Sequence, residues 1–319
     1  MKKIILLTIF ISNQSTLITY AQSCNWCYTE QISGVSSNLT SACSIGNWLP
    51  TQVWVCGDGG VVLKSTNAGS NWISVGQNGI PANVNLVTIS CGAIDTVLTA
   101  GRSGTTTCVY RSVNGGLNWF QVFCQANGNI NSIWMKTGQQ GFLCGDPVNG
   151  RWSLWRTSNG GATWDSSGMY LPQAGSEIGW QNSLAIRNNT IWFGTNNSRL
   201  YRSTNNGQNW SVVSTGSQVN SSAVWTYHDT LDYTFVEFGG SNPYYSTNSG
   251  ANWTLQSCPD TGRFVGFCPG YYGVYESLPM ALYAVRNNNK VYISNYIGLF
   301  QAEYTAPSGI YNHLARDVG

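Results

Sequence analysis

Ser112-Val113-Asn114-Gly115-Gly116-Leu117-Asn118-Trp119 decides how this chain is read, because the same pattern occurs five times. Ahead of it stands Ser65-Thr66-Asn67-Ala68-Gly69-Ser70-Asn71-Trp72. After it come Thr157-Ser158-Asn159-Gly160-Gly161-Ala162-Thr163-Trp164, then Ser203-Thr204-Asn205-Asn206-Gly207-Gln208-Asn209-Trp210, then Ser246-Thr247-Asn248-Ser249-Gly250-Ala251-Asn252-Trp253. The shared form is Ser/Thr-x-Asn-x-Gly-x-Asn/Thr-Trp, and successive tryptophans lie 47, 45, 46 and 43 residues apart. A period in the forties, made of short β-branched and aromatic runs broken by Gly and Asn, is the length of one four-stranded propeller blade. A helical repeat of that length would show apolar residues at helical spacing, and this chain does not.

Within the second unit the strands are expected at Leu86 to Cys91 (innermost), Thr96 to Ala100, Thr107 to Ser112 and Trp119 to Phe123 (outermost). The motif therefore sits on the hairpin joining third and fourth strands. Asn is expected to cap that turn by accepting a backbone N–H two residues on, Gly to supply the positive φ, and Trp to pack into the apolar layer. A decayed sixth copy stands at Ser294-Asn295-Tyr296-Ile297-Gly298-Leu299-Phe300, behind expected strands at Met280 to Arg286 and Lys290 to Ser294. Asn25-Trp26-Cys27-Tyr28 lies one period before Trp72, so the N-terminus is expected to supply the outer strand of the last blade and close the ring. Ser308 to Ala315 reads as the start of a further inner strand. The architecture expected is an all-β propeller of six blades; a seven-fold ring with an incomplete last blade is the alternative.

The five copies resemble the Asp-box, or BNR, repeat of sialidase-type propellers and of the photosystem II assembly propellers, over about residues 53 to 300. Every copy here carries Asn where that family usually has Asp, which keeps the capping carbonyl and loses the charge. The resemblance implies either protein binding, as in the assembly propellers, or glycan cleavage, as in the sialidases. A sialidase would need a triad of arginines, a Tyr-Glu nucleophile pair, an acidic proton donor and an early Arg-Ile-Pro segment. The first arginine is Arg102, no Arg-Ile-Pro occurs, and Arg111, Arg156 and Arg202 stand just before motif residues, where a structural role is expected.

Met1-Lys2-Lys3, the apolar run Ile4 to Ile11 and a polar stretch ending at Ala21 have the form of a secretory leader, leaving residues 22–319 as one exported domain. Acylation at Cys24 is the alternative processing, which the poor fit of Ala21-Gln22-Ser23 to a lipoprotein box disfavours. No later apolar run reaches membrane-spanning length. Ten cysteines in an exported chain read as disulfides, with local pairs Cys43–Cys56, Cys108–Cys124 and Cys258–Cys268 expected, and Cys24, Cys27, Cys91 and Cys144 left unassigned. A zinc site at Cys24-x-x-Cys27 lacks a second ligand pair, since His228 and His313 have no suitable spacing. No metal or other cofactor is expected. Charged residues make up only 9% of the chain and the net charge is +2, too weak a field to hold nucleic acid.

A glycosidase needs two carboxylic acids flanking its substrate. On the face opposite the motif hairpins the candidates are Asp58, Asp146, Glu177 and Asp260, with Glu237 near by, each also readable as an ordinary turn or surface acid. No nucleophile elbow, phosphate loop or Ser/His/Asp set is recognisable, and with only two histidines in the chain His228 has little support as a general base. Two insertions stand out on that face, Asp146 to Trp152 and Ser166 to Trp180. They bring Asp146, Arg151, Trp152, Tyr170, Glu177 and Trp180, aromatic rings beside a few polar groups, which suits stacking on a sugar or gripping a peptide. The expected role is a binding or assembly module for a protein or glycan ligand, with a glycan-cleaving hydrolase as the alternative.

Overall fold

The computed structural model describes residues 3–7, 28–45, 52–67, 69–216, 218, 220–228, 234–270, 281–295, 299–305 and 316–317. Six antiparallel sheets follow one another along the chain, each running outward from its first strand. Blade one holds Leu39–Ile45, Gln52–Gly57, Val62–Ser65 and Ile73–Ser74; blade two holds Asn85–Ala93, Thr96–Ser103, Thr106–Ser112 and Phe120–Ala126. Blade three has Ile130–Met135, Gly141–Val148 and Arg151–Thr157; blade four has Gly179–Arg187, Thr190–Thr195, Arg199–Ser203 and Ser211–Ser214. Blade five has Ala223–His228, Thr234–Gly239, Pro243–Ser246 and Thr254–Leu255; blade six has Phe264–Gly270, Ala281–Arg286, Lys290–Asn295 and Phe300–Thr305. From blade one to blade six, each inner strand packs beside the next, giving a six-bladed propeller. Lys3–Leu7 pairs with Tyr28–Ile32 in a separate two-stranded sheet.

Burial follows position in the blade. The second strand of blade one is a continuous apolar run, Val53-Trp54-Val55-Cys56, because both of its faces are covered. Outer strands such as Phe120–Ala126 and Ser211–Ser214 are exposed or half-buried throughout. Hydroxyls stitch neighbouring inner strands: Thr40 Oγ1 donates to Leu86 O (2.7 Å), while Thr88 Oγ1 and Ser90 Oγ accept from the N–H groups of Ile133 (3.2 Å) and Met135 (2.9 Å). These three hydroxyls are thus satisfied by a neighbouring blade's backbone, which fixes register between blades as well as within them.

The repeated turn has one geometry in all five copies. The buried Ser or Thr hydroxyl accepts the N–H of the motif Gly, as from Gly69 to Ser65 (2.8 Å), Gly116 to Ser112 (2.9 Å) and Gly161 to Thr157 (2.9 Å), and donates to the Asn Oδ1. The same Asn Oδ1 accepts a second bond from the N–H four residues on, as from Asn118 to Asn114 (3.0 Å) and from Asn209 to Asn205 (2.8 Å). This corrects the expected two-residue cap: the Asn bridges the whole turn, and the N–H two residues beyond the hydroxyl, that of the Asn itself, is taken by Ser or Thr.

The motif Gly also explains how blades are joined. A Cβ on Gly116 would lie 3.0 Å from the Trp54 ring, and one on Gly161 would overlap Leu98. Equivalent atoms on Gly207 and Gly250 would meet Phe142 (3.0 Å) and Trp192 (3.2 Å). Trp54, Leu98, Phe142 and Trp192 all stand on the second strand of the preceding blade. Each of these four turns is therefore seated on the blade before it. Basic residues preceding the motif reinforce the joint, since Lys64 Nζ donates to Gly115 O (3.2 Å) and Arg111 Nε to Gly160 O (2.7 Å) of the following turn.

Blade three departs from the four-strand expectation. Its outer edge is two isolated bridges, Arg156 with Asp165 and Arg151 with Pro172, because the chain leaves the sheet after Trp164 and returns to bury Met169 and Leu171. The ring ends also differ from expectation. The outer place of blade six belongs to Phe300–Thr305, which pairs with Lys290–Asn295, so the N-terminus does not supply it. Instead Arg316–Asp317 lies parallel to the inner strand of blade one, joining the C-terminal end of the chain to its first blade. Residues 8–27, 296–298 and 306–315, with the expected cleavage point, Cys24, Cys27 and the core of the decayed sixth motif, lie outside the described residues.

Cys108 pairs with Cys124, as the hairpin register requires. Cys43 does not pair with Cys56: its cross-strand neighbour is Trp54, and its bond runs to Cys91 on the inner strand of blade two. Cys258 is free, because blade six begins at Phe264 and carries Cys268 four residues along the strand, away from the crossing. Cys56 and Cys144 are free and buried, and burial pushes both thiols up, that of Cys56 to about 11.

Candidate binding face

The crossings between blades and the turns between second and third strands share one face of the ring. The structure separates the six candidate residues into four places on it. Asp146 is an internal tie: Oδ1 accepts from Asn131 Nδ2 (2.7 Å) and Gly179 N (3.0 Å), and Oδ2 from Asn129 Nδ2 (2.7 Å). Trp152 is 0% exposed and packs on Phe193 and Tyr201, with ring centroids 4.8 and 5.6 Å away. The stacking on a ligand expected of it is closed off, because Met169 and Leu171, from the inserted segment, pack with it, Leu171 O accepting the Trp152 backbone N–H (2.9 Å).

Glu177, 2% exposed, belongs to the same buried cluster. Tyr201 Oη donates to its Oε2 (2.8 Å) and Arg199 Nε lies 3.5 Å from Oε1. Burial first, then the neighbouring carboxylate, pushes the Tyr201 phenol up to about 12. Arg151 and Tyr170 form the outer rim: the guanidinium sits 5.8 Å from the ring centroid and Tyr170 is 66% exposed. The other acids of this face are also engaged. Asp58 accepts from Asn38 Nδ2 (3.0 Å), and Asp260 holds Lys290 Nζ through both oxygens (2.8 and 3.0 Å) with Tyr292 Oη at 3.0 Å. The Glu237 side chain lies outside the described residues.

Trp180 goes elsewhere. Between the pairs Gly179–Thr195 and Leu184–Phe193 the inner strand of blade four holds four residues, Trp180 to Ser183, against Gly194 alone. This wide bulge pushes its residues toward the axis. Asn182, at φ 59°, reaches the inner strands of blades one and two: its Nδ2 donates to Thr40 O and Val87 O (both 3.4 Å), and its Oδ1 accepts from Ser41 Oγ (3.3 Å). Trp134 of blade three and Trp225 of blade five meet with centroids 6.4 Å apart. Beside this closed axis the Trp180 ring lies under the Arg263 guanidinium, 4.4 Å from centroid to Cζ. Arg263, on the crossing into blade six, escaped the sequence reading; its only sequence signal was a basic residue in a short crossing. The Asn182 bulge left no sequence signal, because strand periodicity cannot reveal how many residues face one partner.

This scaffold defines a class, the six-bladed β-propeller, with blades two to five each seated on the preceding blade through a repeated Gly-Trp turn. Among solved structures the chain is similar to YCF48 bound to D1 peptide, at 13% identity over 86% of each chain with a TM-score of 0.62. It is also similar to YCF48 from Cyanidioschyzon merolae, at 14% identity over 86% of this chain and 87% of that one, TM-score 0.58. A third likeness is to the GH74 enzyme of Niastella koreensis, at 14% identity over 84% of this chain but 45% of that one, TM-score 0.57. At these identities the likeness is one of fold. No family model and no curated relative matches the chain.

Proposed function

We propose that this protein is an exported binding or assembly module of the Asp-box propeller type, which takes a protein or glycan ligand on its crossing face. The observation that carries the reading is the engagement of the acids there. Asp58, Asp146, Glu177 and Asp260 are each held by protein partners, and a hydrolase needs two carboxyl groups aimed at substrate. YCF48, seen bound to a peptide, supports the use of such a scaffold for binding. Residues 1–21 act as the leader and 22–319 as the working domain; the two disulfides suit an oxidising compartment. Among the described residues no helix is long and apolar enough to cross a membrane.

The second reading, glycan cleavage, draws on the fold shared with GH74 enzymes. One experiment separates the two: the protein is displayed against glycan and peptide arrays, and each ligand found is tested for turnover. Binding without turnover is expected. Turnover abolished by Glu177→Gln or Asp146→Asn in variants that keep the wild-type melting temperature would replace the binding reading with the hydrolase.

A further inference from the structure

Among the described residues Arg263 is the one arginine of the crossing face whose guanidinium has no acceptor. Arg102 donates to Gly104 O and Asn129, Arg151 to Met169 O and Arg286 to Gly262 O, while Arg199 faces Glu177. Arg263 has only the Trp180 ring against one face. Its backbone is fixed, its N–H donating to Asn287 Oδ1 (2.6 Å) and its carbonyl accepting the Asn287 N–H (2.8 Å). The nearest acid in sequence, Asp260, is taken by Lys290. Among the described residues Arg263 is thus a half-buried cation without a countercharge, and burial lowers its proton affinity. Burying a charge this way is unfavourable unless a partner arrives.

From this geometry we infer that Trp180 and Arg263 form a carboxylate-binding site whose ligand is an acidic sugar, a hexuronate unit of a polysaccharide. With one face of the guanidinium covered by indole, its donors remain in plane, and that planar fork fits the two oxygens of a carboxylate. Asn182, two residues along the same strand, reaches across to the inner strands of blades one and two and gives this end of the axis a polar floor. Along the strand on either side of Trp180 stand neutral amides of the kind that sugar hydroxyls use: Gln181 is exposed, and Asn196, whose Oδ1 accepts the Ile178 N–H (2.9 Å), is half-buried. The site rests on the binding-module reading and names the ligand class for it.

The test is calorimetric titration of the full chain with a short oligogalacturonate and with its methyl ester, which keeps the rings and removes the charge. The acid is expected to bind, to weaken with added salt, and to lose about tenfold or more in affinity on esterification or in Arg263→Met. Arg263→Lys, which keeps the charge without the fork, is expected to fall between. Melting temperatures of both variants control for folding. Equal affinity for acid and ester, or unchanged binding by Arg263→Met, overturns the site. A peptide that binds through its free C-terminus and not as the amide, with no oligogalacturonate bound, overturns the sugar assignment. If the arrays yield other ligands whose binding ignores Arg263, this site falls and the binding-module reading stands; if they yield none, that reading falls first.

Discussion

Replacing Trp119 by Ala tests whether the repeated turn holds the blades together. The indole is 3% exposed, lies in the cluster around Trp54, Ile80 and Tyr110, and donates its Nε1–H to Val75 O of the preceding blade (2.7 Å). Its truncation removes a large core aromatic, at about 3–5 kcal/mol, and strands a carbonyl, at about 1 kcal/mol more. Cooperative unfolding of a chain this long carries an entropy of about 0.6 kcal/mol per kelvin, from about 2.1 cal/mol/K per residue. The expected fall in Tm is therefore about 7–10 °C, read by scanning calorimetry. Trp119→Phe, which keeps a ring and loses the hydrogen bond, is expected to fall about 2–4 °C. A drop of under about 2 °C for the Ala variant would refute the idea that the turn is a structural lock.

Trp152→Ala is expected to cost about 3–5 kcal/mol, because the ring is wholly buried, and to alter ligand binding only through lost stability; chemical denaturation checks it. Non-reducing peptide mapping should recover Cys43–Cys91 and Cys108–Cys124, loops whose closure contributes about 4 and 3 kcal/mol in the entropy model. A thiol reagent should label Cys258 in the native protein, and Cys56 and Cys144 only after unfolding. The Tyr201 phenol titrates higher in the folded chain than unfolded, so its protonated form is the one the fold favours. Its contribution is complete below about pH 10 and lost as pH rises toward about 12. Melting profiles of Tyr201→Phe should lose part of the alkaline decline across that window.

The propeller was legible because its signal is periodic: five copies of one turn fix both the repeat length and the hairpin on which it sits. In blade two the expected Thr107 to Ser112 strand differs from the observed Thr106–Ser112 by one residue. Cys108–Cys124 followed from the same register, since both residues belong to one hairpin. Cys43–Cys91 did not, because it joins two blades and depends on how inner strands sit side by side. The same limit hid the binding face. Loop length marked the Ser166 to Trp180 insertion, yet it could not tell that Leu171 would turn back to roof Trp152 while Trp180 leaned to the axis. Arg263 became visible only when a crossing two blades further on was found against that ring.

The seating of four turns on the blades before them gives the molecule a direction. Gly116 needs Trp54, Gly161 needs Leu98, Gly207 needs Phe142 and Gly250 needs Trp192, and in every case the receiving residue is made first during synthesis. A nascent chain emerging N-terminus first thus offers each new key a lock already in place, and the wheel can grow spoke by spoke while still tethered to the ribosome. Arg316–Asp317, which emerges after all six blades, then lies against the inner strand of the first, so the earliest spoke waits for a segment made after the wheel.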